Sequence, residues 1–142
     1  MSEPGESPVL FRRVRSRLPR RELAGFARTL ARRVAGRPFC CLVSDDRELA
    51  GLNRRFLERD YAADVLSFPG TGEIAISAER ARAQARVLGH SVADEIRILM
   101  LHGALHLAGM DHESDSGRMA RAESRWRRKL GLPGGLIERA RR

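Results

Sequence analysis

The chain has 142 residues, 42% hydrophobic and 32% charged, a balance that suits one folded domain with one core and excludes a disordered polymer. No apolar run approaches the roughly 20 residues needed to cross a bilayer. The formal charge of +9 fits a polyanionic partner, RNA or DNA before a membrane surface, and fits a solvated basic surface equally well.

Only Lys129 among the 27 basic residues is lysine. Such an arginine bias can reflect genomic base composition, although arginine also matches phosphate bidentately. The start, Met1 to Pro8, is polar and carries Glu3 and Glu6. It lacks the cationic and apolar regions of a secretory signal, so a cytoplasmic location is expected.

In chain order, Val9 to Val14 reads as a short strand. Leu23, Phe26, Ala27, Leu30 and Val34 recur at helical spacing, with Pro19 before them and Gly36 after. Phe39 to Val43 is a continuous apolar run, as in a buried strand. It contains Cys40 and Cys41, whose side chains would point to opposite faces, so no bridge between them and no functional role is expected. Asp45 with Glu48 resembles a capping box opening a helix through Leu49, Leu52 and Phe56. Val65 to Phe68 and Ile74 to Ile76 read as strands joined by the turn Pro69-Gly70-Thr71-Gly72. Ser77 caps a helix that Gly89 ends, and Ser91 with Asp94 opens the next. A last helix runs from about Gly117 to Leu130, with Met119, Ala122, Trp126 and Leu130 on one side. The tail, about 131–142, is expected to fray. These elements predict a single α/β domain (α+β-like) over 1–142. Its small mixed sheet has about four strands, at least one pair antiparallel, flanked by helices around a central buried helix.

That central helix, Ile96 to Ala108, carries nothing polar after Arg97 except His102 and His106. A helix apolar all round is buried, and buried imidazoles need partners for both ring nitrogens. The two lie four residues apart, on one face. Gly109 can end the helix in the left-handed conformation, and the following turn can return His112 toward the pair. Three of the four histidines thus form His-x3-His-x5-His. The set suits one tetrahedral zinc ion per chain with a position left open. Nickel or iron would also accept imidazole. His90, outside this window, reads as an ordinary loop residue.

The spacing matches the extended zinc-protease pattern, including its glycine at Gly109, but that pattern places a general-base glutamate where this chain has Gly103. A peptidase is therefore disfavoured. Glycine there would instead permit close approach of a helix or a substrate backbone.

The run His102-Gly103-Ala104-Leu105-His106-Leu107-Ala108-Gly109-Met110-Asp111-His112 resembles the signature of the YbeY family of bacterial rRNA maturation endoribonucleases. Asp64 to Pro69, Gly72 to Ser77 and Leu88 to Ser91 are similar to that family's segments in order and spacing, and the similarity extends from about Phe39 to Leu130. The resemblance implies a single-strand-specific, metal-dependent endoribonuclease in rRNA processing, with 16S rRNA 3′-end maturation and ribosome quality control as its setting. It implies zinc on His102, His106 and His112, and contacts with ribosomal RNA and the small subunit. A small-subunit ribosomal protein or an Era-type GTPase is a further implied partner, and no membrane is.

One departure stands out. Where the family usually reads aromatic-Arg-x-Lys-Asp, this chain has Phe56-Leu57-Glu58-Arg59-Asp60, so the family's functional arginine falls on Leu57. Arg59 or Arg55 has the reach to replace it or is a solvated helix-end residue. The threonine usual two residues before Val65 is Ala63. Asp111 either orients a ligand histidine or caps the turn. The alternative to a nuclease is a non-catalytic ribosome-assembly factor with a structural metal.

Overall fold

The computed structural model describes residues 7–59, 63–111 and 115–134. Four strands, β1 (Val9–Phe11), β2 (Cys40–Ser44), β3 (Val65–Phe68) and β4 (Glu73–Ser77), form one sheet in the order β1-β2-β4-β3. The β1–β2 and β2–β4 pairs are parallel and β3–β4 is antiparallel. The helices among the described residues are α1 (Arg20–Leu30), extended by a π-turn through Ala31–Ala35, α2 (Asp46–Leu57), α3 (Ala78–Leu88), α4 (Val92–Leu107) and α5 (Arg118–Leu130). The expected α/β domain with a mixed four-stranded sheet is what forms.

Local chemistry accounts for most boundaries. Asp45, Ser77 and Ser91 each accept a hydrogen bond from a backbone N–H of the following first turn, those of Glu48, Arg80 and Asp94, which satisfies an orphan donor. The capping box at Asp45 is only half built. Glu48 turns its carboxylate outward and accepts from Ser44 Oγ at 2.5 Å and from Arg12 at 2.7 and 3.0 Å. Charged and hydroxyl donors from the strand ends thus win over the reciprocal cap. The first strand is shorter than its apolar pattern, because Arg13 takes a left-handed φ of 58° that breaks the ladder.

Alternation along the strands sorts side chains onto two unequal faces. Val9, Cys41, Val43, Ile74 and Ile76 join the main core with α1, α3, α4 and α5. Leu66 and Ala75 face the other way and pack with Leu49 of α2 in a small second cluster. Helix α4 runs through the middle of the main core, with Ile96, Ile98, Leu99, Met100, Leu101, Ala104 and Leu105 all at most 1% exposed. No helix among the described residues is long and apolar enough to cross a membrane.

Candidate metal centre

Helix α4 delivers His102 and His106 one turn apart, as four-residue spacing requires. Their rings meet edge to face with centroids 4.8 Å apart, and their Nε2 atoms face each other at 3.2 Å. Each Nδ1 is held from behind. Nδ1 of His102 donates to Glu123 Oε2 at 2.8 Å, and Nδ1 of His106 donates to the Met110 carbonyl at 2.9 Å. Glu123 comes from α5 and is 1% exposed.

The second of these bonds has a local origin. Gly109 adopts φ 93°, the left-handed conformation that a side chain would strain. This turns the chain so that Met110 N–H returns to Leu105 O at 3.2 Å. The Met110 carbonyl is thereby set beneath the His106 ring.

A carbonyl oxygen only accepts, so His106 Nδ1 carries the proton and Nε2 presents its lone pair. With the Glu123 carboxylate accepting from His102 Nδ1, His102 Nε2 presents a lone pair as well. Two lone pairs at 3.2 Å repel unless a cation or a proton lies between them. Tetrahedral zinc with nitrogen ligands at 2.0–2.1 Å separates two of them by roughly 3.3 Å. The imidazole pair therefore fits the edge of such a site, and the Glu123 and Met110 acceptors fix the tautomers that a metal needs. Among the described residues no third histidine, cysteine, aspartate or glutamate joins the pair within ligating reach. His112, the third expected ligand, lies outside the described residues.

Gly103 sits between the two histidines for a steric reason. A Cβ there would lie 2.9 Å from Ile74 Cγ2 and 3.0 Å from its Cδ1. The close approach comes from a side chain of β4 and not from the expected helix or substrate backbone, and Ser67 Oγ of β3 bonds the Gly103 carbonyl at 3.4 Å. The histidine-bearing end of α4 is seated directly on the sheet.

Leu57, at the position of the family arginine, is half-buried and packs on the second cluster of Leu49, Leu66 and Ala75. It lines a groove of about 500 Å³ with Leu52, Phe56, Phe68 and Ala75. Arg59 is exposed directly after the left-handed C-cap of α2, Glu58. Arg55 is exposed with its guanidinium 5.8 Å from the Phe56 ring centre. Asp111 is exposed at the turn after Met110. Cys40 is exposed and Cys41 buried, with burial first and the neighbouring thiol second pushing the Cys41 thiol up to about 12.

Two partnerships escaped the sequence reading. Glu123 was legible only as a lone carboxylate beside the apolar stripe of α5. His90 is not an ordinary loop residue, since its Nε2 donates to the fully buried Glu95 at 2.6 Å. Glu95 gave the corresponding signal, a carboxylate opening an otherwise apolar run.

A single α/β domain with a four-stranded mixed sheet carries an imidazole pair on its buried central helix. Residues 35–131 match the family model described as Endoribonuclease YbeY. A protein of Solibacter usitatus named Endoribonuclease YbeY is 58% identical over 98% of both chains. One of Koribacter versatilis with the same name is 56% identical, covering 69% of this chain and 68% of its own. The solution structure of TM1509 from Thermotoga maritima shares the fold with a TM-score of 0.52 at 22% identity, covering 82% of this chain and 86% of that one. The chain belongs to the YbeY family.

Proposed function

We propose that this chain is a zinc-dependent, single-strand-specific endoribonuclease of ribosomal RNA processing. The facing Nε2 atoms of His102 and His106, each ring anchored through Nδ1, carry the metal part of this reading. The names of the relatives carry the nuclease part.

In this reading His102 and His106 hold one zinc ion together with His112. Glu123 and the Met110 carbonyl keep both Nδ1 protons in place and raise the basicity of the ligating nitrogens. When bound, zinc would supply Lewis acidity toward a phosphate oxygen and lower the pKa of bound water toward about 7. The +9 charge then has a natural partner in ribosomal RNA. The expected setting is 3′-end maturation of 16S rRNA and ribosome quality control in the cytoplasm. Contacts would be to the small subunit, one of its proteins or an Era-type GTPase. A peptidase role is disfavoured, since Ile74 occupies the space that a glutamate at position 103 would need.

One observation favours a second reading, an RNA-binding assembly factor with a structural metal. At the position where the family resemblance implies a functional arginine, Leu57 packs into apolar surroundings. Cleavage of a single-stranded RNA by metal-loaded wild type and by His106→Ala separates the two. The nuclease reading expects cutting that is lost in the variant. Binding without any cutting by metal-loaded wild type would overturn it.

A further inference from the structure

Helix α5 reads RMARAESRWRRKL, six basic side chains against one carboxylate, Glu123. That is a net of five of the chain's +9. Arg118, Arg121, Arg125 and Arg128 are all exposed. At 100° per residue they fall within an arc of about 80°, whose centre lies roughly 180° from Glu123. The helix thus turns its carboxylate inward to His102 and four guanidiniums outward.

Helix stability does not explain this stripe. Arg118 stands in the first turn, where the helix dipole disfavours a cation. Successive members are three or four residues apart, so like charges repel along the whole face. Some arginines elsewhere are matched to carboxylates, as in Arg12 with Glu48, Arg80 with Asp46 and Arg97 with Asp94. Along the stripe, Arg121 bonds the Ser116 carbonyl at 3.2 Å and Arg128 bonds Ser124 Oγ at 3.1 Å, both neutral acceptors. Among the described residues no ion pair joins any of the four to a carboxylate.

Resting on the RNA-directed reading above, we propose that the outer face of α5 is a track for the phosphate backbone of single-stranded RNA. The stripe is about 15 Å long, which spans about four phosphates of a stacked strand. Because Glu123 projects from the same helix, a strand held on the track is in fixed register with the imidazole pair. A bilayer is the wrong partner. The apolar side chains of α5, Met119 and Ala122, are buried in the core, leaving no wedge for insertion.

The test is binding of a fluorescein-labelled oligouridylate between about 50 and 200 mM salt. The proteins compared are wild type, the Gln quadruple at Arg118, Arg121, Arg125 and Arg128, and the Lys quadruple at the same positions. Single-stranded contacts each contribute a slope of about 0.7, so four are worth about 2.8, and wild type should lose about 50-fold more affinity than the Gln variant over this range. The Lys variant should keep the wild-type slope, which also guards against a folding artefact. A control with Arg21, Arg28, Arg47 and Arg86 changed to Gln removes equal charge and should leave the slope in place. Equal slopes in wild type and the Gln variant would overturn the track, as would an equal loss in the control or no binding by wild type. Cleavage by wild type with equal slopes removes the track alone. Slope loss without cleavage by metal-loaded wild type removes the nuclease reading and keeps the track.

Discussion

Helix α4 is flanked at each end by a histidine bonded to a buried carboxylate, yet the two pairs use opposite ring nitrogens. Before its start, His90 gives its Nε2 to Glu95. Near its end, His102 gives Nδ1 to Glu123 and aims Nε2 at His106. The first arrangement ties the α3–α4 junction to the helix it precedes. The second leaves the far nitrogen facing another imidazole, so the same residue types make a structural latch in one place and the proposed ligand set in the other.

Substituting the carboxylates tests that division with the largest effects. Glu123→Gln should lower zinc affinity by about 10–100-fold, as loss of a histidine's supporting acceptor does, with little change in melting temperature of the metal-free protein. Glu95→Ala should leave zinc affinity within about twofold and cost about 1–3 kcal/mol of stability, because a buried donor loses its partner. Competition with a zinc chelator and urea unfolding measure the two. If both variants lost metal affinity alike, the distinction between latch and ligand would collapse.

A smaller effect is expected where α4 rests on the sheet. Gly103→Ala gains up to about 1 kcal/mol of helix propensity but meets Ile74, and overpacking costs about 1–3 kcal/mol. A net loss of about 1–2 kcal/mol should appear in urea titration, together with weaker zinc retention as the ligand end is displaced. Ile74→Ala should cost less in the Gly103→Ala background than in wild type, the sign of coupling between the two positions. A Gly103→Ala protein more stable than wild type would show that the close approach does not position the ligands.

Glu48 sets the scale for a carboxylate remote from either pair. Burial raises its pKa, but the hydrogen bonds from Ser44 and Arg12 and the charges of Arg12 and Arg13 outweigh this and hold it below the usual value. A depressed carboxylate pKa stabilises the fold above its unfolded value, near 4.3, and that contribution is lost as pH falls through the folded value. Glu48→Gln should therefore shrink the drop in melting temperature between pH 7 and pH 3. The difference corresponds to less than about 1 kcal/mol, since Arg12 is half exposed. An unchanged drop would leave the Arg12–Ser44–Glu48 contacts without energetic consequence.

Much of this architecture was legible from local chemistry. The caps at Asp45, Ser77 and Ser91, the β3–β4 turn and the left-handed Gly109 follow from residue type at a fixed offset. The imidazole pair followed from polarity within an apolar run. Long-range partnerships were not legible. Glu123 meets His102 at a sequence separation of 21, and periodicity reports which face of α5 is buried without saying what it is buried against. The strand order β1-β2-β4-β3 was hidden for the same reason, since β4 inserts between β2 and β3. The arginine stripe of α5 dissolved into a chain-wide arginine bias until the fold showed which face of that helix is exposed.

X-ray absorption at the zinc edge of the purified, zinc-loaded protein tests the central claim most directly. A metal held through the Nε2 atoms of His102 and His106 predicts nitrogen scatterers at about 2.0–2.1 Å with the outer-shell signature of at least two imidazoles. A spectrum without imidazole scattering, or one unchanged in His106→Ala, would contradict it.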